Sequence, residues 1–378
     1  MTVQPLGGAS GQSLHTGFSA PRVAIVHYWF VGMRGGERVV ERLLRLFPQA
    51  DLFTHVYDPE SVSATIRNSN VSTTFINRLP FSRKAYQYYL PLMPMALEEL
   101  DLTQYDIVIS SESGPAKGVI THPSSVHLCY CHSPMRYLWD HYHQYRAEAG
   151  LAARIAMPWM YHRLRQWDVS SSARVDKFAA NSRFVSDRIR KNWRREAEVV
   201  HPPVEIDLFS KAEEVEDRYL WIGQMVPYKR PDIAVDAFNK SGKSLLMVGT
   251  GSMLAKLKSR ARPNISFVDR LDFDSLRKAY GACRALVFTA EEDFGIIPVE
   301  VMASGRPIVA YGKGGALDTV LQRETGVLFP EQSAESLLDG IEEFERWEPQ
   351  FSPDRAIAYV QKFAPEHFDR KIAEMVAQ

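Results

Sequence analysis

The 378-residue chain predicts an α/β protein of two doubly wound, Rossmann-like parallel-sheet domains facing each other across an inter-domain cleft. Three observations carry this. Short apolar runs rich in Val, Ile and aromatic residues alternate with amphipathic stretches, the pattern of parallel strands covered on both faces by helices. The alternation stops at "HPPVEIDLF" (201–209), where two prolines break regular structure, and then restarts. The length exceeds what one ordinary core holds.

The first series opens with "RVAIVHYWF" (22–30), a buried strand, then a glycine loop and the helical "ERVVERLLRLF" (37–47). "YDIVIS" (105–110), "VHLCYCH" (126–132) and "VDKFAANS" (175–182) read as its further strands. The second series holds "RYLWIG" (218–223), "KSLLMVG" (243–249), "NISFVD" (264–269), "RALVFT" (284–289) and "RPIVAYG" (306–312), each followed by a helical stretch. The expected domains are 21–203 and 204–361. Residues 1–20, rich in Gly and Ser and free of Lys and Arg, are expected to form a disordered tail rather than a signal peptide.

Hydrophobic residues make up 45% of the chain and charged residues 24%, the balance of a soluble globular protein. The formal net charge is zero but unevenly spread: 23 Lys and Arg against 17 Asp and Glu in residues 1–200, and 22 against 28 in the remainder. A basic first half suits an anionic surface or lipid; nucleic acid is not an expected partner. Three cysteines make no disulfide framework, so a reducing, cytoplasmic setting is expected. No uncharged apolar run is long enough to span a membrane.

Four stretches can carry chemistry. "EEDFGIIPVE" (291–300) follows a strand; Ala290–Gly295 read as loop and Ile296–Ala303 as helix, with Pro298 in its first turn and Gly305 past its end. Glu292 then stands on the loop and Glu300 about one turn inside the helix. The unpaired N–H groups of that N-terminus suit a diphosphate. On spacing alone, a capping acid and a solvated Glu fit equally well. "WIGQMVPYKRPDIAVDAF" (221–238) places Lys229 and Arg230 on a loop, either as cations for a phosphate leaving group or as solvated surface. "YCHSPMRYLWD" (130–140) sets His132 at a strand's carboxyl end, where a structural His is the ordinary alternative. In "GMRGGERVVE" (32–41), Gly35 and Gly36 let backbone approach a ligand, without the spacing of a dinucleotide fingerprint.

"EEDFGIIPVEVMASGRPIVAYGKGG" resembles the signature of family 4 glycosyltransferases, retaining enzymes of the GT-B fold: a Glu, seven residues, a second Glu, and Phe-Gly after the first acid. The resemblance implies that Glu292 holds hydroxyls of a donor sugar and Glu300 the nucleotide ribose. Phe294 and the backbone of Gly295, Ile296 and Ile297 would face the diphosphate. Lys229 matches the family's lysine, but after Gly223 the usual arginine is replaced by Gln224, leaving one charge missing that Arg230 could supply. His132 would lie near the reacting carbon, and the Gly35–Gly36 loop would close over diphosphate and acceptor. "CHSPMRYLWD" resembles a bacterial subgroup that builds polysaccharide repeat units and includes many mannosyltransferases; Arg136, Trp139 and Asp140 are its acceptor-side candidates.

The implied reaction moves a hexose from a nucleotide sugar to a hydroxyl with retention, by a front-face route in which neither Glu is the nucleophile. GDP-mannose is the first donor and a UDP-sugar such as UDP-glucose the second. The acceptor would be a polyprenyl-diphosphate-linked oligosaccharide. Residues 21–203 would bind acceptor, 204–361 donor, and 362–378 would cross back onto the first domain. No metal or cofactor is expected. A nucleotide-sugar epimerase and a non-catalytic binding module stay open, Gln224 pointing to the latter.

Four further stretches read more plainly. "DFD" (272–274) resembles a metal-binding Asp-x-Asp but precedes a helix, so Asp274 is expected to cap it. Cys129 and Cys131 share one strand face and His132 takes the other, so no metal site is expected. "RLPFSRKAYQYYLPLMPMALEEL" (78–100) is either core plus solvated face, or an interfacial patch that would hold the protein peripherally at the inner face of the cytoplasmic membrane. "RFVSDRIRKNWRR" (183–195) reads as a solvated helix face.

Overall fold

The computed structural model describes residues 20–377; the expected tail, save Ala20, lies outside them. Among the described residues there are two all-parallel sheets. The first holds β1 (Val23–His27), β2 (Asp51–Thr54), β3 (Val71–Thr73), β4 (Ile107–Glu112), β5 (Val126–Cys131), β6 (Lys177–Ala180) and β7 (Glu198–Val199), in the order β3-β2-β1-β4-β5-β6-β7. The second holds β8 (Tyr219–Ile222), β9 (Leu245–Val248), β10 (Ile265–Val268), β11 (Leu286–Phe288), β12 (Ile308–Tyr311) and β13 (Gly326–Phe329), ordered β10-β9-β8-β11-β12-β13. Strands such as β1, buried at every residue, form because Val and Ile pack well on both faces of a covered sheet.

In both sheets the strand order reverses once, between β1 and β4 and between β8 and β11. Loops at the carboxyl ends diverge there and leave a crevice. Gly35 and Gly36, expected on a loop, instead open the helix Gly35–Leu46 that follows β1, because the backbone turns helical directly after Arg34; the loop after β8 carries Gly223 to Arg230, and that after β11 carries Glu291 to Gly295. Strand order alone thus gathers three of the four chemistry-bearing stretches at switch points.

The last helix, Pro365–Ala377, packs on the first sheet. Phe368, Ile372 and Met375 join Val23, Ile25 and Leu43 in one buried cluster. At ~1.5–3 kcal/mol for each large apolar side chain buried, this docking is substantial. Arg42 adds a bond from Nε to Asp369 Oδ1 at 2.8 Å.

Two local expectations are corrected. The cap before "SLRKAYGA" is Asp272, which accepts from Ser275 N at 2.8 Å; Asp274 lies inside the first turn. Within 183–195 one face is buried: Val185, Arg188, Ile189 and Trp193 point inward. Cys129 and Cys131 sit in an apolar cluster with Phe178 and Val185, apart from the His132 ring.

Candidate active site between the two sheets

Thr289, at the end of β11, sets the first pair. Its Oγ1 donates to the Lys229 carbonyl at 2.8 Å and accepts from Trp221 Nε1 at 3.0 Å. This clips the β8 loop to the β11 loop. Lys229 Nζ then lies 3.0 Å from Glu292 Oε1, an ion pair off the hydrogen-bond directions. Burial alone would push the ammonium toward neutrality. Glu292 outweighs it, so Lys229 titrates above its ordinary range and is cationic at neutral pH. The Glu292 carbonyl is fixed by Gly315 N at 2.8 Å.

The motif helix spans Ile296–Ala303. Gly295 enters it with φ +84, a left-handed value that favours glycine, and the amides of Ile296 and Ile297 are left in the open first turn. The N-terminus of the first-domain helix Gly35–Leu46 rests against this end: a Cβ on Gly35 would lie 3.2 Å from Ile296 Cδ1. A Cβ on Gly36 would meet the Tyr28 hydroxyl at 2.5 Å.

Glu300, one turn in, accepts from the Tyr280 hydroxyl at 3.0 Å. Burial raises its pKa; Tyr280 and the nearby Arg38 guanidinium offset that in part. It lines a cavity of about 340 Å³ with Ile296 and Phe273 on one side and Met33 and Arg38 on the other. A second hollow of about 310 Å³ opens among Tyr228, Arg230, Glu291 and Arg136.

His132 follows β5. Its backbone is pinned by its own N–H to the Glu112 carbonyl at 2.8 Å and by Asn181 Nδ2 donating to its carbonyl at 2.8 Å. The adjacent Ser182 hydroxyl donates to the Asp293 carbonyl at 2.5 Å, so two consecutive residues tie His132 to the motif loop. Burial, with His27 beside it, pushes the ring down to about 3, so it is neutral at physiological pH. Nε2 bonds Ser111 Oγ at 2.8 Å.

The remaining candidates are placed differently. Arg136 donates to Asp293 Oδ1 at 2.7 Å, across the two domains. Asp140 pairs at 2.6 Å with Arg188, which also donates to Asp293 at 2.9 Å. The Trp139 indole N–H donates at 2.8 Å to the buried Asp168. All three acceptor-side candidates thus already have partners. Arg230 pairs with Asp232 at 2.9 Å, and Gln224 is exposed. The Phe294 ring is a core residue packed on Phe363 and His201, which leaves only its backbone for a ligand.

Arg38, Arg188, Tyr280, Ser111 and Asp293 were not singled out from sequence. Asp293 lies inside the quoted motif. The others carry no local signal: Arg188 lies mid-helix, and Arg38, Tyr280 and Ser111 sit within elements where their residue types are ordinary.

Two family descriptions tile most of the chain: "Glycosyl transferases group 1" matches residues 205–362 and "Glycosyltransferase Family 4" residues 33–208. An uncharacterised glycosyltransferase of Methanocaldococcus jannaschii is 26% identical over 44% of this chain, which spans only 48% of that relative. The α-1,3/1,6-mannosyltransferase alg2 of Schizosaccharomyces pombe is 23% identical over 82% of this chain and 71% of its own. Among solved structures, Anabaena HepE in complex with UDP and glucose superposes with TM-score 0.69 at 15% identity, over 95% of this chain and 100% of that one.

Proposed function

Because the chain belongs to glycosyltransferase family 4, with the GT-B fold, we propose that it transfers a hexose from a nucleotide sugar to an acceptor hydroxyl with retention of configuration. One observation carries the reading. Two helix N-termini, one opening at Gly35 and the other at Ile296, meet across the cleft, with the cationic Lys229 on the motif loop's acid Glu292.

In this reading the diphosphate lies between the amides of the two helix N-termini, and Lys229 meets the charge that gathers on it as the glycosidic bond breaks. Glu292, held by Lys229 in the free protein, accepts from sugar hydroxyls once the phosphate draws the ammonium away. Glu300 and its cavity take the ribose and base. Neutral His132 faces the sugar. The departing phosphate takes the acceptor proton, with no covalent sugar on the protein and no metal. Full turnover in EDTA is expected; loss restored by Mg²⁺ or Mn²⁺ would contradict it.

Mannose from GDP-mannose is the proposed donor, supported by a relative named as a mannosyltransferase. A UDP-sugar is the second reading, favoured by the structural neighbour that holds UDP and glucose. The proposed acceptor is a polyprenyl-diphosphate-linked oligosaccharide at the inner face of the cytoplasmic membrane. No helix among the described residues is long and apolar enough to cross a membrane. The helix Leu151–Ser172 buries Met157, Tyr161 and Leu164, yet its opposite face exposes Leu151 (77%), Ile155 (72%) and Trp159 (71%) between Arg154 and Arg163. Phe81 (81%) and Tyr88 (84%) are likewise exposed. Apolar side chains among cations fit an anionic lipid surface.

A thermal-shift series with GDP, UDP, GDP-mannose and UDP-glucose tests the donor site, since a ligand of the native state raises the melting temperature. One base should stabilise and the other not. No shift from any of the four would remove the reading.

A further inference from the structure

Four groups form a file behind the cleft. His27 ends β1 and Ser111 lies beside it in β4, paired in register. Ser111 Oγ bonds His27 Nδ1 at 3.0 Å and His132 Nε2 at 2.8 Å. On the far side, His27 Nε2 faces Glu37 Oε1 at 3.8 Å and is buried without a hydrogen-bond partner. His27 and Ser111 are fully buried and Glu37 nearly so. The other Glu37 oxygen accepts from Arg34 N at 2.9 Å, closing the start of the helix Gly35–Leu46.

We infer that Glu37, His27 and Ser111 are positioning residues that fix which nitrogen of His132 carries its proton. A nitrogen lone pair turned toward a carboxylate at that range is repelled, whereas an N–H is attracted. His27 therefore holds its proton on Nε2, and its Nδ1 is an acceptor. Ser111 has one hydroxyl proton and gives it to His27 Nδ1. Its oxygen then accepts from His132, so His132 carries N–H at Nε2. The other nitrogen, Nδ1, makes no hydrogen bond among the described residues of this half-buried ring, so its lone pair is left free.

The consequence rests on the transferase reading above. A sugar hydroxyl meeting His132 must donate to it, so the hydroxyl oxygen stays free to accept from elsewhere. The opposite tautomer would offer an N–H and hold the same hydroxyl the other way round. Glu37, which makes no such contact itself, sets this choice through two intervening groups, and its second oxygen ties the choice to the helix N-terminus at Arg34.

The test reads the tautomers directly. Full-length protein labelled with ¹⁵N at histidine is examined by long-range ¹H–¹⁵N NMR, with the His27 and His132 signals assigned from single substitutions. In the wild type, both rings are expected as Nε2–H. In Glu37→Gln, whose amide can face either tautomer, Nδ1–H should rise in both rings together. In Ser111→Ala the His132 ring should lose its preference, and adding Glu37→Gln should no longer move it. His132 protonated at Nδ1 in the wild type would overturn the inference, as would a Glu37→Gln protein whose His132 tautomer is unchanged. If Glu37→Gln does not fold, Ser111→Ala decides alone: an unaltered His132 tautomer there rejects the relay. Kinetically, Ser111→Ala should lower kcat about tenfold, the effect of roughly one hydrogen bond, with KM for the nucleotide sugar nearly unchanged and Ser111→Thr restoring the rate. Absence of transfer by the wild type with every nucleotide sugar would remove the transferase reading, while the NMR result would still decide the relay.

Discussion

Arg136 of the first domain donates to Asp293 of the second at 2.7 Å. Asp293 is the neighbour of Glu292, so the loop that carries the proposed sugar-binding acid is held from across the cleft. Arg188 grips the same carboxylate at 2.9 Å, and the Arg183 backbone N–H donates to Asp318 at 2.7 Å. The domains are therefore joined beside the proposed donor site by charges that are mostly shielded from water.

That arrangement makes Asp293 the shared member of a network. Asp293→Ala should reduce kcat/KM more than Arg136→Ala does, since it strands two cations rather than one. A double-mutant cycle of Arg136→Ala with Asp293→Ala should show coupling of about 1–3 kcal/mol in unfolding titrations. Additive effects would mean that the contact is not made in solution.

Glu300 has a cost in stability. Burial raises its folded pKa above the unfolded value, so the native chain binds that proton more tightly. Stability from this group then falls as pH rises from the unfolded pKa through the folded one, and stays low above it. Glu300→Gln keeps an oxygen for the Tyr280 hydroxyl and removes the charge. Its melting temperature should match the wild type at low pH and exceed it at neutral pH, while nucleotide binding weakens. A variant less stable than wild type at neutral pH would show that the ionised carboxylate is well compensated.

Lys117 is buried with Glu112 and Asp168, and Asp168 also accepts from Trp139 and Trp193. The cluster braces the end of β4 against the 132–140 loop. Lys117→Met strands two buried carboxylates and should cost about 3–5 kcal/mol in denaturant unfolding. A loss under about 1 kcal/mol would mean that water reaches the cluster.

Leu151, Ile155 and Trp159 make one exposed stripe. Replacing all three with Ser should abolish co-sedimentation with anionic phospholipid vesicles and leave transfer to a water-soluble acceptor unchanged. Wild-type binding should fade with added salt, because the flanking arginines are screened. Equal co-sedimentation of variant and wild type would remove this face as the contact.

The sequence disclosed the fold through its strongest signal, fully buried Val- and Ile-rich strands such as β1 and β4. It did not disclose β2, β3, β7 or β13. "VST" and "EV" are too short and too polar at the sheet edges for alternation to register, and "GVLF" lies behind the turn at Arg323. At the site, the two acids and Lys229 were legible because their spacing relative to one strand and one helix is local. Arg188, expected on a solvated helix face, was misplaced for the opposite reason. Its partner Asp293 lies far along the chain, and an arginine that will be buried against a distant aspartate looks in sequence like one bathed in water. The Glu37 relay is of the same kind: its members meet through strand register, which composition does not record.

The division of labour between Glu300 and Glu292 is the central claim, and calorimetric titration of the stabilising nucleoside diphosphate, GDP or UDP, into the two alanine variants tests it most directly. Glu300→Ala should weaken binding about 10- to 100-fold, the worth of hydrogen bonds to a charged group. Glu292→Ala, which would lose only sugar contacts, should stay within about threefold of the wild type by the same scale. Equal losses in the two variants, or wild-type affinity in Glu300→Ala, would contradict it.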